Sequence, residues 1–291
     1  MVSVMPLAKI LLCLDTDPQA SVFDAVVAVD AGVDHLLRHS AVTPDAVRDL
    51  VYGAMFTRGP AELKNTAVFI GGSDVEAGEK LLNKAQNCFF GPMRVSLMLD
   101  SNGANTTAAA AVLSAAKHLP LAGALVTVLA ATGSVGRRVV RLLAREGALV
   151  RVASRKLSRA MELCDDASIL PQNAKFEAWE TSDESSTRAA IEGADIVIAA
   201  GAPGVQVLSE KIRKESKSLR VAIDLNAVPP VGISGIQPHD KAADQNGQIG
   251  YGAIGVGGLK MKLHKACIRR LFESNDLVLD ADEILGIGKT I

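Results

Sequence analysis

Between residues 125 and 225, short apolar runs alternate with stretches whose apolar residues recur at helical spacing. The first run, residues 125–130, is almost entirely apolar, as is typical of a parallel strand that is buried on both faces. The next stretch, residues 135–146, predicts an amphipathic helix, because its apolar side chains fall on one face and its arginines on the other. Gly147 ends that helix.

The same alternation continues along this segment. Further strands are predicted at 148–153, 175–179, 195–200 and 220–224, and helices between them at 157–164, 185–192 and 209–217. Strands that alternate with helices form parallel sheets through right-handed crossovers. The sequence therefore predicts an α/β fold with a Rossmann-type, doubly wound parallel sheet.

The chain on either side of this sheet predicts a second α/β domain. Residues 1–118 also mix strand and helix patterns, but they contain no glycine pattern typical of a phosphate loop. From Leu259 onward, apolar residues predict a long helix that follows a glycine-rich loop and returns to the N-terminal domain. We therefore predict a Rossmann domain over 119–255 and a second domain formed by 1–118 with 256–291.

Composition narrows the range of partners. The chain has 31 Lys and Arg against 32 Asp and Glu, and only 3% of its residues are aromatic. Proteins that bind nucleic acid usually carry a basic excess or aromatic stacking platforms, so we expect no nucleic-acid partner. The apolar run at 10–14 is too short for a signal segment or a membrane span. We therefore expect a cytoplasmic protein with no membrane partner.

The four cysteines and five histidines are scattered along the chain. They form no CxxC, HExxH or HxH motif, which are the spacings typical of metal ligands. We therefore predict reduced, structural thiols and no metal site.

The loop after the first strand of the Rossmann domain carries a glycine pattern. Residues 131–136 read Ala-Thr-Gly-Ser-Val-Gly, which is GxGxxG with Ala131 at the first glycine position. Gly133 would let the backbone approach a pyrophosphate, and Gly136 would allow close packing of helix and strand. The N-terminus of the following helix would attract the phosphates. An ordinary strand-to-helix turn is the alternative, since Ala131 replaces the glycine of the tight turn.

The end of the second strand discriminates between NAD and NADP. An NAD enzyme usually places Asp or Glu about 20 residues beyond the loop, where the carboxylate binds the ribose 2′-hydroxyl. This chain instead has Ser154, Arg155 and Lys156 there. An arginine fork, a lysine and a hydroxyl suit a 2′-phosphate, so the sequence favours NADP. A solvated, basic start of a helix is the alternative.

Five further segments carry a resemblance to a known family. They read LDTDPQASVFD at 14–24, FFGPM at 89–93, DSNGANTT at 100–107, DLNAVPP at 224–230 and GAIGVGGLKMKLH at 252–264. Taken in this order, from about Leu12 to the C-terminus, they resemble the NADP-dependent methylene-tetrahydromethanopterin dehydrogenases of methylotrophic bacteria. Some members of that family also accept methylene-tetrahydrofolate.

The resemblance implies a function and a cofactor site. It implies hydride transfer from a methylene-tetrahydropterin to NADP⁺, giving the methenyl form in one-carbon metabolism, by a homo-oligomer for which a trimer is favoured. The cofactor residues carried over are Thr132, Gly133, Ser134 and Val135 for the pyrophosphate, Ser154, Arg155 and Lys156 for the 2′-phosphate, and Ala200, Gly201, Ala202 and Asn226 beside the nicotinamide ribose. Ala131 and Ser134 depart from the glycine and proline of the family loop.

The resemblance also assigns the second domain to catalysis and pterin binding. Lys260 matches the lysine regarded as important for catalysis in the family, and its alternative is a solvated lysine at a helix start. The predicted substrate-binding residues are Phe23, Asp24, Asp100, Asn102 and Thr106. Two of these assignments have structural alternatives: the DSNGANTT segment could cap a helix, and Phe23 could fill the core. We expect His264 to pack or cap along the C-terminal helix.

Two alternatives of other classes stay open. One is another NADP-dependent dehydrogenase on the same scaffold, resembling shikimate dehydrogenase or glutamyl-tRNA reductase. Such an enzyme would need a catalytic cysteine or a Lys–Asp pair in the N-terminal domain. Neither occurs there in a recognisable sequence context. The other is a non-catalytic NADP-sensing module.

Overall fold

The computed structural model describes residues 7–166 and 174–291. The chain forms two compact units: unit 1 extends up to Thr106 and includes Met261–Ile291, and unit 2 is Thr107–Lys260. Both unit boundaries fall inside continuous helices, Ala104–Ala116 and Ala253–Arg270. The domain boundaries predicted after residues 118 and 255 lie close to the same two helices. The roles assigned to the domains stay predictions.

Twelve strands and ten α-helices are assigned within the described residues. The strands are β1 (Ile10–Asp15), β2 (His35–His39), β3 (Thr66–Gly71), β4 (Ser96–Leu99), β5 (Leu125–Leu129), β6 (Leu149–Ser154), β7 (Lys175–Glu180), β8 (Ile196–Ala199), β9 (Val221–Asp224), β10 (Lys241–Gln245), β11 (Gln248–Tyr251) and β12 (Val278–Leu279). The helices are α1 (Val22–Asp30), α2 (Pro44–Met55), α3 (Val75–Gln86), α4 (Ala104–Ala116), α5 (Ser134–Arg145), α6 (Leu157–Cys164), α7 (Glu184–Ile191), α8 (Glu210–Glu215), α9 (Ala253–Arg270) and α10 (Ala281–Gly288).

Unit 1 is built on a parallel sheet of five strands in the order β12-β4-β3-β1-β2. This is the strand order of flavodoxin-like doubly wound folds, in which ligands bind at the carboxyl ends of the strands where the order reverses. In unit 1 the order reverses between β1 and β3. All six residues of β3 are buried, as expected for a central parallel strand. The second α/β domain predicted from the sequence is confirmed.

Unit 2 contains a seven-stranded sheet in the order β10-β11-β9-β8-β5-β6-β7. Apart from β10, which pairs antiparallel with β11, neighbouring strands are parallel. The parallel strands follow the Rossmann order, with β5 as the first strand and the order reversing between β5 and β8. The Rossmann-type fold predicted from the alternating pattern is confirmed. Each element predicted between residues 125 and 225 is present, with its ends shifted by two residues at most.

The prediction of a glycine-rich loop before the C-terminal helix is wrong, because α9 already begins at Ala253 and includes these glycines. The backbone of Gly255 packs directly on the segment before β10, and a Cβ there would collide with the carbonyl oxygen of Asp240. The N–H groups of Ile254 and Gly255 donate to the Pro238 carbonyl at 2.8 and 3.2 Å. The helix start is thus held by a tertiary contact that glycine permits.

In the turn that follows β5, the residue in the left-handed region is Ala130, with φ 52°. Ala131 is fully buried, and its N–H donates to the Ala153 carbonyl at 2.9 Å. Gly136 has the predicted packing role, because a Cβ at that position would come 2.6 Å from the Ala131 carbonyl oxygen. The close approach of α5 to the end of β5 therefore requires glycine at Gly136.

No helix within the described residues is both long and apolar enough to cross a bilayer.

We expect Gly136→Ala to destabilise the protein by about 1–3 kcal/mol, since the added methyl group overpacks a backbone contact. Gly133→Ala is the matched control, because a Cβ there would meet no protein atom closer than 3.8 Å. Thermal unfolding measured by circular dichroism should show a lower Tm for Gly136→Ala and an unchanged Tm for Gly133→Ala. Equal melting temperatures for the two variants would show that α5 can move away from β5 at no cost.

Candidate functional site

Unit 2 has a cleft of about 870 Å³ at the carboxyl ends of its parallel strands. Its walls come from the segments that follow β5, β6, β7 and β8. This edge of the sheet, beside the point where the strand order reverses, is where Rossmann folds bind dinucleotides. Eight of the predicted cofactor residues line the cleft: Thr132, Gly133, Ser154, Arg155, Lys156, Ala200, Gly201 and Ala202.

The loop between β5 and α5 has room for a ligand at Gly133. Gly133 is the N-cap residue of α5, and a Cβ there would meet only carbonyl oxygens, at 3.8 Å. No protein atom therefore fills the space beside it, in contrast to Gly136. Ser134 and Val135 form the first turn of α5 and are not among the residues that line the cleft. Their backbone N–H groups belong to the helix end that lacks intrahelical partners, where an anion is favoured.

The end of β6 presents two cations to the cleft. Ser154 is buried, whereas Arg155 and Lys156 are exposed. Neither Arg155 nor Lys156 forms a salt bridge with another described residue, so both charges are available to an anion. Guanidinium, ammonium and hydroxyl groups at one point form a donor set that suits a phosphate dianion. This part of the cleft fits the 2′-phosphate of NADP.

Sequence reasoning missed one further cation and the segment that follows β7. Arg159 also lines the cleft, and its guanidinium lies 3.8 Å from Glu162 in an exposed pair that contributes little. Its position four residues after Arg155 is the signal that could have found it. Asp183, which also lines the cleft, accepts hydrogen bonds from the backbone and side chain of Ser186, and these lower the pKa of the Asp183 carboxyl group.

Asn226 is not among the residues that line the cleft. Its side-chain amide donates to the Pro230 carbonyl at 3.1 Å and accepts from the Val228 N–H at 2.8 Å. Asp224 is also buried, and it accepts hydrogen bonds from the Asn226 and Ile233 backbones at 3.0 and 2.8 Å. Both side chains thus shape the loop that follows β9. Burial raises the pKa of the Asp224 carboxyl group. Contact of Asn226 with the nicotinamide ribose stays a prediction.

In unit 1 the predicted substrate residues lie at the carboxyl edge of the sheet, near the reversal between β1 and β3. Phe23 is 53% exposed at the start of α1, so the alternative that it fills the core is wrong. Asp24 follows it and is partly buried. Asn102 is exposed, has φ 54°, and donates its N–H to the Gly72 carbonyl. These three residues are open to a ligand.

Asp100 and Thr106 are both buried and bind each other. Asp100 accepts from the Thr106 N–H at 2.9 Å and from the Thr106 hydroxyl at 2.6 Å. The carboxylate thereby caps the first turn of α4, so the capping interpretation of the DSNGANTT segment is confirmed for Asp100. With 3% and 0% exposure, the two side chains are almost inaccessible to a ligand, and their role in substrate binding stays a prediction.

His264 lies beside this pair. It is 1% exposed, and its Nδ1 atom is 3.9 Å from Asp100 Oδ2. Its ring stacks on Phe69 with centroids 5.4 Å apart and an interplanar angle of 23°, and the Phe23 ring lies 6.5 Å away. The expectation that His264 packs along the C-terminal helix is confirmed.

Lys260 is the eighth residue of α9 and is partly buried. It therefore stands two turns into the helix, and the alternative of a solvated lysine at the helix start is wrong. It is not among the residues that line the cleft in unit 2. Its catalytic role stays a prediction.

The thiols contribute no reactive group to the described sites. All four cysteines are free, and burial raises the pKa of Cys13 and Cys267 to about 12. Their thiols stay protonated at neutral pH. Within residues 7–166 and 174–291, no group of three or more His, Cys, Asp or Glu side chains is arranged to hold a metal ion.

Two family descriptions match parts of the chain. Residues 22–102 match the N-terminal domain of methylene-tetrahydromethanopterin dehydrogenase. Residues 130–244 match an NAD(P)H-binding family, which covers the cleft of unit 2.

Relatives and solved structures agree with these matches. The bifunctional protein MdtA of Methylorubrum extorquens is 45% identical over 287 residues, which cover 97% of this chain and 98% of the relative. An NAD(P)-dependent methylenetetrahydromethanopterin dehydrogenase of the same organism is 29% identical, with 89% and 91% covered. Shikimate 5-dehydrogenase of Listeria monocytogenes, solved with shikimate and NAD, has a TM-score of 0.55 at 15% identity, covers 96% of both chains, and shows the fold alone.

The resemblance carried by the five sequence segments is thereby confirmed. The near full-length similarity to MdtA and the N-terminal domain match agree on one assignment. This chain belongs to the methylene-tetrahydromethanopterin dehydrogenase family.

Proposed function

We propose that the protein is an NADP-dependent dehydrogenase that oxidises methylene-tetrahydromethanopterin to the methenyl form. The observation that carries the proposal is the Rossmann cleft whose second strand ends in Ser154, Arg155 and Lys156, in a chain related to MdtA over nearly its full length. The family relationship supports the pterin substrate, and the basic strand end supports NADP over NAD.

The cleft of unit 2 holds the cofactor in this proposal. Arg155 and Lys156 bind the 2′-phosphate, with Ser154 and Arg159 beside them, and the open backbone at Gly133 receives the pyrophosphate. Ala200, Gly201 and Ala202 border the nicotinamide ribose, as the family resemblance implies. When bound, NADP⁺ supplies the hydride acceptor.

The reaction requires little acid–base chemistry. One C–H bond of the methylene bridge breaks, and the hydrogen leaves with the bonding electron pair, so the carbon becomes part of a cation shared by two nitrogens. No proton is released, and a strong general base is unnecessary. The protein has to hold the donor carbon in near-attack geometry, which can contribute roughly 7–11 kcal/mol, and to stabilise the positive charge that develops.

Asp24 is the candidate for stabilising that charge, because it is partly exposed at the carboxyl edge of the unit 1 sheet. Asp100, the other carboxylate among the predicted substrate-binding residues, is buried and bonded to Thr106. Phe23 and Asn102 are placed where they can contact the pterin. We assign Lys260 to a polar atom of the pterin ring, since an ammonium group beside the reacting carbon would oppose the cation.

The family resemblance also suggests a cellular location, an oligomeric state and a second substrate. We propose that the enzyme acts in the cytoplasm, that it assembles as a homo-oligomer with a trimer favoured, and that methylene-tetrahydrofolate is a second substrate. The near-zero net charge of −1 argues against a nucleic-acid partner.

The decisive experiment follows NADPH absorbance with the purified protein, methylene-tetrahydromethanopterin and NADP⁺. Parallel reactions contain methylene-tetrahydrofolate, shikimate, or NAD⁺ in place of NADP⁺. Reduction that requires a methylene-tetrahydropterin supports the proposal. Reduction with shikimate alone would replace it with the shikimate alternative. NADP⁺ binding without turnover of any substrate would favour the sensing module.

We expect Arg155→Ala to raise the KM for NADP⁺ by roughly tenfold or more, because losing a charged hydrogen-bond partner costs about 1.5–3 kcal/mol. The KM for NAD⁺ should hardly change, since NAD⁺ lacks the 2′-phosphate. Steady-state kinetics with both cofactors measures this split. Arg48→Ala, which removes an exposed arginine of unit 1, is the control and should alter neither value. Equal losses with both cofactors would remove Arg155 from the 2′-phosphate site.

We expect Lys260→Ala to lower kcat strongly while the Kd for NADP⁺ and the Tm stay near wild type. Lys262→Ala is the matched control, because Lys262 is an exposed lysine two residues further along α9. A loss confined to kcat would mark stabilisation of the transition state, and a rise confined to the pterin KM would mark anchoring of the substrate. Wild-type values of both parameters would exclude Lys260 from the site.

A further inference from the structure

Arg159 borders two neighbouring cavities of unit 2. The cofactor cleft of about 870 Å³ and a second cavity of about 480 Å³ have two lining residues in common, Thr132 and Arg159. Arg155 and Lys156 line the cofactor cleft, whereas Glu162 lines the second cavity. The guanidinium group of Arg159 therefore has a possible anionic partner on each side: a phosphate in the cleft, or the Glu162 carboxylate in the second cavity.

Three cations stand together at the start of α6. Lys156 is the N-cap residue, Arg155 precedes it, and Arg159 is the third residue of the helix. The first turn of α6 contains no acidic residue. Because the N-terminus of a helix carries a partial positive charge, cations at this end are disfavoured unless an anion lies near them. Such a conflict with local electrostatics is typical of residues that are placed for a ligand.

The partner that Arg159 has within the protein is a weak one. The Arg159 guanidinium and the Glu162 carboxylate are 3.8 Å apart, and the two side chains are 67% and 66% exposed. The basic residue also precedes the acidic one along the helix, which is the order that the helix dipole disfavours. An exposed pair of this kind contributes little, so Arg159 can leave Glu162 at a low cost.

No other carboxylate of the cleft competes for the three cations. Asp183 and Glu184, on the segment that follows β7, also line the cleft. Within residues 7–166 and 174–291, neither of them forms an ion pair with Arg155, Lys156 or Arg159.

We propose that Arg159 determines cofactor specificity by exchanging partners: when NADP⁺ binds, its guanidinium leaves Glu162 and joins Arg155 and Lys156 at the 2′-phosphate. This inference rests on the function proposed above, which assigns the cleft to NADP. A phosphate offers three acceptor oxygens and a higher charge than a solvated carboxylate, so it is the stronger partner. Glu162 therefore competes with NADP⁺. It does not compete with NAD⁺, which has no 2′-phosphate.

The first test measures the Kd of both cofactors by isothermal titration calorimetry. We expect Arg159→Ala to raise the Kd for NADP⁺ roughly tenfold, because the 2′-phosphate loses a charged hydrogen-bond partner. Glu162→Gln should lower the same Kd by about two- to fivefold, because the amide no longer holds the guanidinium. The Kd for NAD⁺ should change in neither variant. Glu273→Gln is the matched control, since Glu273 pairs with Arg270 at the same spacing in unit 1.

Two results of this test would overturn the proposal. An equal loss of NADP⁺ and NAD⁺ affinity in Arg159→Ala would show that Arg159 does not recognise the 2′-phosphate. Unchanged or weaker NADP⁺ binding in Glu162→Gln would show that the carboxylate does not compete with the cofactor.

A double-mutant cycle separates partner exchange from general electrostatics. Glu162→Gln added to Arg159→Ala should bring no further gain in NADP⁺ affinity, because the carboxylate acts through Arg159. Arg159→Lys should recover part of the preference for NADP⁺, since it restores the charge but not the planar fork. A gain from Glu162→Gln that persists without Arg159 would overturn the exchange.

Adenosine 2′,5′-bisphosphate and AMP, which differ only in the 2′-phosphate, repeat the comparison without the nicotinamide. These binding measurements need no pterin, so they are independent of turnover. The expected affinities in a protein that oxidises no methylene-tetrahydropterin would refute the proposed function and support the exchange. Turnover of methylene-tetrahydromethanopterin with NADP⁺, together with unaltered cofactor affinities in both variants, would refute the exchange and support the function.

Discussion

Buried carboxylates that accept backbone N–H groups hold the loops at the carboxyl edges of both sheets. Asp15 ends β1, Asp224 ends β9, and Asp100 follows β4, and each accepts from backbone N–H groups of the segment that follows its strand. A buried carboxylate without such partners would be costly, so each aspartate restricts its loop to conformations that supply donors. Asp24, a predicted substrate-binding residue, follows the loop that Asp15 holds.

Local periodicity was sufficient to predict the elements between residues 125 and 225, because the central strands are continuous apolar runs and the helices bury one face of their own sequence. Strands β10 and β11 of unit 2 lie beyond this range and were not predicted. Periodicity failed where a distant contact decides the conformation. The glycines before Lys260 resemble a loop in the sequence, yet Gly255 is helical, since its backbone lies against Asp240. Likewise, the turn after β5 places Ala130 in the left-handed region, which its residue type alone does not reveal.

The candidate sites were predictable to different degrees for the same reason. Arg155 and Lys156 line the cleft, and this position could be predicted because it depends on the end of one strand, which the sequence locates. Asp100 was predicted to bind the substrate, but its carboxylate is buried and bonded to Thr106. The sequence shows which groups are polar. It does not show which of these polar groups are already hydrogen-bonded to other protein groups.

Charge is distributed oppositely at the two carboxyl edges, although the net charge of the whole chain is only −1. In unit 2, Arg155 and Lys156 are exposed cations beside a cleft that suits an anionic dinucleotide. In unit 1, Asp15, Asp24 and Asp100 place three carboxyl groups at one edge of the sheet, and the proposed reaction forms a cation in its substrate. A carboxylate stabilises such a cation only while it is ionised, and burial among like charges works against ionisation. Asp24 shows this opposition, because burial and the neighbouring Asp100 and Asp15 carboxylates raise the pKa of its carboxyl group.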